Sequence, residues 1–327
     1  TFQSTEQGGK TVRAIVIESF GGPEVLRPAD VPSPEPAADE VLIEVAYAAV
    51  NPVDWKIREG MLASMFPHEF PVILGWDAAG TVKDTGKNVT GFRIGDRVYA
   101  YCRKPKVGFG TYAEFVTMNQ AAVAPMPKNV GFAEAACIPL AGLTAWQSLF
   151  DAAKIQAGDR VLIHAGAGGV GSFAIQFAKH TGAEVLTTAG GANHAYVKSL
   201  GADVAIDYRK ENFIDAVRKR EPGGIDLVFD AVGNDVQRKS YEVLKKGGKL
   251  VSIVNVPSEE EARRYGVVAA HVFVTPDGEQ LRRIGALLES GAVRPPALQE
   301  MRLEEAAEAQ RQSQAGHVRG KIVLKIR

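Results

Sequence analysis

The chain has 327 residues, 38 Lys plus Arg against 38 Asp plus Glu, and two cysteines, Cys102 and Cys137. A formal charge of zero argues against a nucleic-acid or anionic-membrane partner, and two cysteines are too few for a disulfide framework or a cysteine-built zinc site. No apolar run approaches the roughly 20 residues a membrane span needs. Residues 1–10 lack the basic start and apolar middle of a signal peptide and read as a flexible lead-in, so a soluble cytoplasmic protein of two domains is expected.

From residue 14 to 127 the pattern is short and β-rich. Strands are expected over residues 14–17, 41–47, 81–83, 97–101 and 113–118, divided by Gly, Pro, Asn and Asp. That describes a small irregular barrel or sandwich. At 127–129 the texture changes, and 132–150, rich in Ala and Leu, is expected to be helical.

The stretch 161–182 then brings strand, glycine turn and helix in succession. Val161-Leu162-Ile163 is a short apolar run of the kind a strand buried on both faces shows. Gly166-Ala167-Gly168-Gly169-Val170-Gly171 fits G-x-G-x-x-G in full. Val170, Phe173, Ala174 and Phe177 fall on one helical face, and Gly182 stands where a helix stops. Bare backbone in such a turn lets phosphates approach closely, and the helix N-terminus presents N–H groups with a favourable dipole. The bland alternative, a tight turn that binds nothing, is weakened by the further βα units that follow.

Strands are expected at 161–165, 184–188, 204–207, 226–231, 249–254 and 267–274, with helices between most of them, such as 195–200 and 236–244. This alternation indicates an α/β fold with a doubly wound parallel sheet, a Rossmann domain. Two amphipathic helices, 279–289 and 303–313, precede a last strand, 321–325, expected to return to the first domain. The sheet strand 267–274 is apolar for an edge and needs covering.

A domain selective for NAD places an acid about 20 residues after the glycines to hold the ribose hydroxyls. Here the second strand ends Thr188-Ala189-Gly190-Gly191 with no acid. A small uncharged turn leaves room for a 2′-phosphate, so NADP (NADPH) is the expected cofactor. Asn193 and Tyr208 are candidate donors to it, with Arg209 nearby; for Tyr208 a half-buried tyrosine at a strand end is an equal alternative.

The chain resembles the zinc-independent quinone oxidoreductase (zeta-crystallin-like) branch of the medium-chain dehydrogenase/reductase superfamily. The resemblance rests on Asn51-Pro52-Val53-Asp54-Trp55-Lys56, Gly75-Trp76-Asp77-Ala78-Ala79-Gly80, Gly95-Asp96-Arg97-Val98, Gly110-Thr111-Tyr112-Ala113-Glu114, Pro139-Leu140-Ala141-Gly142-Leu143-Thr144-Ala145-Trp146, the glycine turn, Leu200-Gly201-Ala202-Asp203 and Gly320-Lys321-Ile322-Val323-Leu324. It implies a GroES-like, β-rich catalytic domain (1–139 and 279–327) split around a Rossmann NADP-binding domain (140–278), with the active site in the cleft between them. It also implies that Asn51, Trp76 and about Leu140 stand where zinc relatives carry Cys, His and Cys, and none of these is a plausible zinc ligand there.

Without zinc, the chemistry left to the protein is positioning a conjugated acceptor for hydride and stabilising the negative charge that ends on oxygen. Asn51 and Lys56 are the candidate donors, Asp54 their orienter, and Trp76 the pocket wall for flat acceptors. The alternatives are a turn cap for Asn51, a surface lysine for Lys56 and a core ring for Trp76. Asp77 reads as structural. The turn residues Ala165, Gly166, Ala167, Gly168, Gly169, Val170 and Gly171, with Ala189 and Gly190, are the expected cofactor contacts. The resemblance adds Thr144, Val232, Val254, the backbone near 270–273 and Lys321. The expected function is an NADPH-dependent reductase of quinones or of enones and enals, as a homodimer. The alternative is an NADPH-binding sensor or crystallin-like protein with incidental turnover.

Overall fold

The structure, a computed structural model, describes residues 10–327; the expected flexible lead-in therefore lies, but for Lys10, outside the described residues. The chain forms two compact units. One holds the described residues up to Leu140 with Thr275–Glu289 and Pro295–Arg327; the other holds Ala141–Val274 and Ser290–Arg294.

The second unit is a six-stranded sheet. From edge to edge it runs Val204–Ile206, Glu184–Thr188, Arg160–Ile163, Ile225–Asp230, Leu244–Ser252 and Val268–His271. Every pairing is parallel. Chain order thus reads 3-2-1-4-5-6, and the winding direction switches between Arg160–Ile163 and Ile225–Asp230. One face is closed by Ile214 and Val217 of helix Phe213–Arg220 against Leu162, Leu186, Ile206 and Val228, all buried. Helix Gly169–Thr181 buries Phe173 and Phe177, and the Phe177 ring meets that of Trp146 at 5.6 Å. It ends where Gly182 turns left-handed at φ +92°, a conformation a side chain resists. Ser290–Arg294 joins this unit through Gln176, whose side chain both donates to the Arg294 carbonyl and accepts from its amide.

Several element bounds differ from the sequence expectation for local reasons. The helix expected over 132–150 breaks into Phe132–Ala136 and Pro139–Trp146, because Pro139 cannot donate and biases its predecessor away from helix. It then widens into a π-helical turn over Gln147–Ala152, where Ala153 N donates to Ser148 O. The strand expected over 267–274 shortens to Val268–His271, because its neighbour pairs only as far as Ser252 opposite His271.

The first unit is built from two sheets. A seven-stranded one centres on Glu40–Val50, which pairs with Asp77–Thr85, Phe115–Asn119 and the last strand, Lys321–Lys325. The return of the C-terminal strand to the first domain, expected from sequence, is a register of Ile322 opposite Val50. The four-stranded sheet orders Arg27–Pro32, Thr11–Ile17, His68–Ile73 and Val107–Phe109. Among the described residues no helix is long and apolar enough to cross a membrane.

Candidate active site

The glycine turn leaves the C-terminal end of strand Arg160–Ile163. Ala165 is forced to φ +57°, and two bonds lash the turn to the next strand: Ala165 N donates to Thr188 Oγ1 and Gly166 N to Thr188 O, both at 3.1 Å. A Cβ on Gly166 would lie 2.0 Å from Thr187 Oγ1, so packing alone demands a glycine there. Gly168 is different. A Cβ there would meet only Ala165 O, at 3.5 Å, and its φ of −78° suits any residue. The bare backbone at Gly168 is therefore not explained by internal packing. It leaves open the N-terminus of a 13-residue helix, where first-turn amides lack helical partners. That cradle fits a pyrophosphate.

The other expected cofactor residues of this unit follow the same sheet edge. Ala189, Gly190 and Asn193 follow Glu184–Thr188; Tyr208 follows Val204–Ile206; Val232 follows Ile225–Asp230; and Val254 follows Leu244–Ser252. Gly169, Val170 and Gly171 open the helix, with Ala167 before them, and Thr144 lies buried on helix Pro139–Trp146. Around Gly190 the structure gathers the charge that sequence placed only nearby. A Cβ on Gly190 would stand 3.8 Å from Arg209 Cζ and 4.0 Å from Tyr208 Cε1, and the Arg209 guanidinium lies 5.7 Å from the Tyr208 ring centre. Tyr208 is 53 % exposed, which favours an outward-facing group over a half-buried strand end.

In the first unit, Asn51 begins helix Pro52–Arg58, and Asp54 Oδ2 reaches back to accept from Asn51 N at 2.8 Å. The Asn51 side chain is a buried crosslink. Its amide nitrogen donates to Asp77 Oδ2 at 2.9 Å and to Ala49 O at 3.4 Å, while its Oδ1 accepts from the Lys321 ammonium. Lys321 also donates to Val50 O at 3.0 Å and pairs with Asp77 at 3.6 Å. Both of these residues therefore depart from the sequence expectation. Asn51, expected to donate to an acceptor, has both amide hydrogens engaged in the network. Lys321, expected at the nicotinamide, is buried with its ammonium surrounded by three acceptors. Asp54 orients Asn51 through its backbone amide and also accepts from Tyr112 Oη at 2.8 Å. Burial pushes its carboxyl up to about 7, against the opposing pull of the Asn51 amide, the Tyr112 hydroxyl and Lys321.

Lys56 sits on the same helix, half-buried, its ammonium 5.6 Å from the Trp55 ring centre; burial pushes its pKa down. Trp76 is 5 % exposed and packs edge-on against Phe66 and Tyr101, at 6.1 and 5.9 Å between ring centres. Asp77, expected to be structural, accepts from Asn51 and, through Oδ1, from the Leu140 amide at 2.8 Å, and pairs with Lys321. One residue escaped the sequence reading. Asp230 gathers the loops beyond two central strands. Its only sequence signal is an acid closing an apolar strand just before a glycine, Phe229-Asp230-Ala231-Val232-Gly233.

The donor set at the three positions where zinc relatives carry ligands does not fit a metal. Asn51 is engaged as described, Trp76 offers a ring, and Leu140 offers an aliphatic side chain.

A family profile described as zinc-binding dehydrogenase matches residues 200–324, and one described as alcohol dehydrogenase GroES-like domain matches 37–128. The chain is 37 % identical over 291 residues to a 2-methylene-furan-3-one reductase of Solanum lycopersicum, covering 87 % of this chain and 71 % of that protein. It is 36 % identical over 325 residues to an NADPH-dependent alkenal/one oxidoreductase, chloroplastic, of Arabidopsis thaliana, covering 96 % and 80 %. The solved quinone oxidoreductase of Coxiella burnetii superimposes with a TM-score of 0.88 at 36 % identity, covering 97 % of this chain and all of that one.

Proposed function

The chain belongs to the zinc-independent quinone oxidoreductase branch of the medium-chain dehydrogenase/reductase superfamily, and from that premise we propose that it is an NADPH-dependent reductase of quinones or α,β-unsaturated carbonyls. The observation that carries the reading is the open glycine turn at Gly168 with the arginine-flanked turn at Gly190, which has no acid of its own, on the same sheet edge. Gly166–Gly171 would hold the pyrophosphate. Gly190, Tyr208 and Arg209 would hold a ribose phosphate, the arginine as its charge partner. Thr144, Val232 and Val254 would receive the nicotinamide.

The bound nicotinamide supplies the hydride. Lys56 Nζ is the group we assign to the acceptor oxygen, where it stabilises the developing negative charge; its burial favours release of a proton to that oxygen. Asn51, Asp54, Asp77 and Lys321 hold the helix that carries Lys56, and Trp76 is a rigid aromatic element of the same unit. The edge strand Val268–His271 leaves Val268 62 % exposed, and we assign it to a homodimer contact; Val268→Lys would then shift the sedimentation of the protein towards that of a monomer.

Absorbance of NADPH, followed with a panel of quinones and a panel of enals and enones, tests the function. Steady consumption with either class supports it. Tight NADPH binding without turnover on both panels would replace it with the sensor reading.

A further inference from the structure

Asp230 closes the central strand Ile225–Asp230 and has no exposed surface. Four donors converge on its carboxylate. Oδ1 accepts from the backbone amides of Val232 at 3.0 Å and Gly233 at 2.8 Å. Oδ2 accepts from the Ser252 hydroxyl at 2.8 Å and the Gln237 amide at 3.3 Å. Ser252 Oγ in turn accepts from Val254 N at 3.2 Å, and the Asp230 carbonyl accepts from Ile253 N at 3.1 Å. One residue thus fixes the first turn of chain beyond two adjacent strands.

The two loops also touch each other. Gly233 adopts φ +81°, and a Cβ there would fall 2.3 Å from Asn255 Oδ1 and 2.8 Å from Val254 Cγ1. Gln237 donates to Asn255 O at 2.8 Å, and Asn234 N donates to Asn255 Oδ1 at 2.9 Å. Among the described residues no ion pair involves Asp230. A buried carboxylate without a cation is costly unless every lone pair is used. This one spends Oδ1 on backbone amides of the loop that carries Val232, and Oδ2 on the Ser252 hydroxyl, which in turn accepts from Val254 N, and on the Gln237 amide. Both loops leave the sheet at its C-terminal edge, next to the switch in winding where such sheets bind ligands. Val232 is 42 % exposed, an apolar side chain on a loop whose amides at Val232 and Gly233 are both bound by Asp230.

We infer that Asp230 is a positioning residue for the nicotinamide end of the dinucleotide: it locks the two loops together so that Val232 and Val254 present one fixed apolar wall to the ring. The inference rests on the NADPH-dependent function proposed above. A wall of this kind acts on the ring and not on the adenosine end, which the glycine turn and the Gly190 turn serve.

The test compares NADPH with 2′,5′-ADP, which carries the adenosine end alone, in the wild type, Asp230→Ala, Asp230→Asn and Ser252→Ala. In Asp230→Ala, kcat/KM for NADPH should fall roughly ten- to hundredfold, while the Kd of 2′,5′-ADP stays within about twofold. Asp230→Asn keeps an acceptor for the two loop amides and should recover most of the loss. Ser252→Ala, which frees the Val254 amide and takes one donor from Asp230 Oδ2 but leaves the Val232 and Gly233 amides bound, should show a smaller loss of the same kind. If Asp230→Ala fails to fold, the other two variants carry the comparison. Unchanged kcat/KM, or a parallel loss of NADPH and 2′,5′-ADP binding, would overturn the role of Asp230 while leaving the function standing. A wild type that binds neither compound would overturn the function, and the inference with it.

Discussion

Lys321 and Asp77 form an ion pair at 3.6 Å, with the lysine 5 % exposed and the aspartate wholly buried. Two strands distant in the chain are tied at the point where Asn51 also enters the network. A buried pair stands on mutual compensation, so removing one partner leaves a charge in a low-dielectric interior.

Lys321→Met should therefore destabilise the fold by about 3–5 kcal/mol, because the Asp77 carboxylate and Asn51 Oδ1 lose their cation. Adding Asp77→Asn should recover a large part of that loss. Urea unfolding of the two single variants and the double variant checks it; additive losses would show that the pair is not coupled.

The two glycines of the turn should separate binding from stability. Gly168→Ala meets nothing closer than 3.5 Å and changes only an N-cap residue, so it should cost about 1 kcal/mol of stability at most. It should nevertheless raise the Kd of NADPH, because the new methyl occupies the open cradle. Gly166→Ala drives a methyl against Thr187 Oγ1 and should cost about 1–3 kcal/mol in unfolding experiments before any ligand is added. A Gly168→Ala protein that binds NADPH normally would remove the pyrophosphate from this turn.

Preference for the phosphorylated nucleotide should reside in Arg209. Gly190 has φ −63°, so Gly190→Asp is allowed by the backbone and places a carboxylate within reach of the Arg209 guanidinium. The affinity for NADPH should drop by roughly tenfold or more relative to NADH, since the arginine is neutralised and a like charge meets the phosphate. Equal losses for both nucleotides would refute the assignment. The buried neighbour, Ala189, is a poorer place for the same substitution because it is only 3 % exposed.

Two buried groups give the stability a pH dependence of opposite sign. Burial pushes the Asp54 carboxyl up to about 7, so above its ordinary 3.8 the folded protein keeps a proton that the unfolded chain releases. Its contribution makes stability fall as pH rises from about 4 to about 7, by about 1.4 kcal/mol per pH unit at full proton difference. Burial pushes the His164 imidazole down from its ordinary 6.5, and its two nitrogens meet Thr188 Oγ1 and Ser240 Oγ. Below 6.5 the unfolded chain gains a proton there that the folded one refuses, so this group makes stability fall as pH falls. The slopes oppose each other in the wild type. Asp54→Asn should remove its falling contribution while leaving those of Asp77, His164 and His271 in place, so between pH 4 and 6.5 stability should rise more steeply with pH, or fall less, than in the wild type. Unfolding curves across this range check it, and a variant whose pH profile matches the wild type would show that Asp54 is ionised in the folded state.

What the sequence determined by itself was local. The apolar run Val161-Leu162-Ile163, six glycine-turn positions and a 3.6-residue period announce strand, turn and helix without reference to anything else in the chain, and the same alternation marks every strand of the parallel sheet. Helix Pro52–Arg58 went unread because seven residues in a β-rich setting carry too little periodicity, although Asn51 and Asp54 already hold its capping spacing. Tertiary structure decided the rest. Whether Asn51 offers its amide outward or gives it to Asp77 depends on strands Asp77–Thr85 and Lys321–Lys325 both flanking Glu40–Val50. The gathering of Asp230, Ser252 and Val254 depends on which strands become neighbours in the sheet. Periodicity reports how each segment meets an apolar environment; partners between distant segments are fixed only when the sheet order is, and buried polar groups take their roles from those partners.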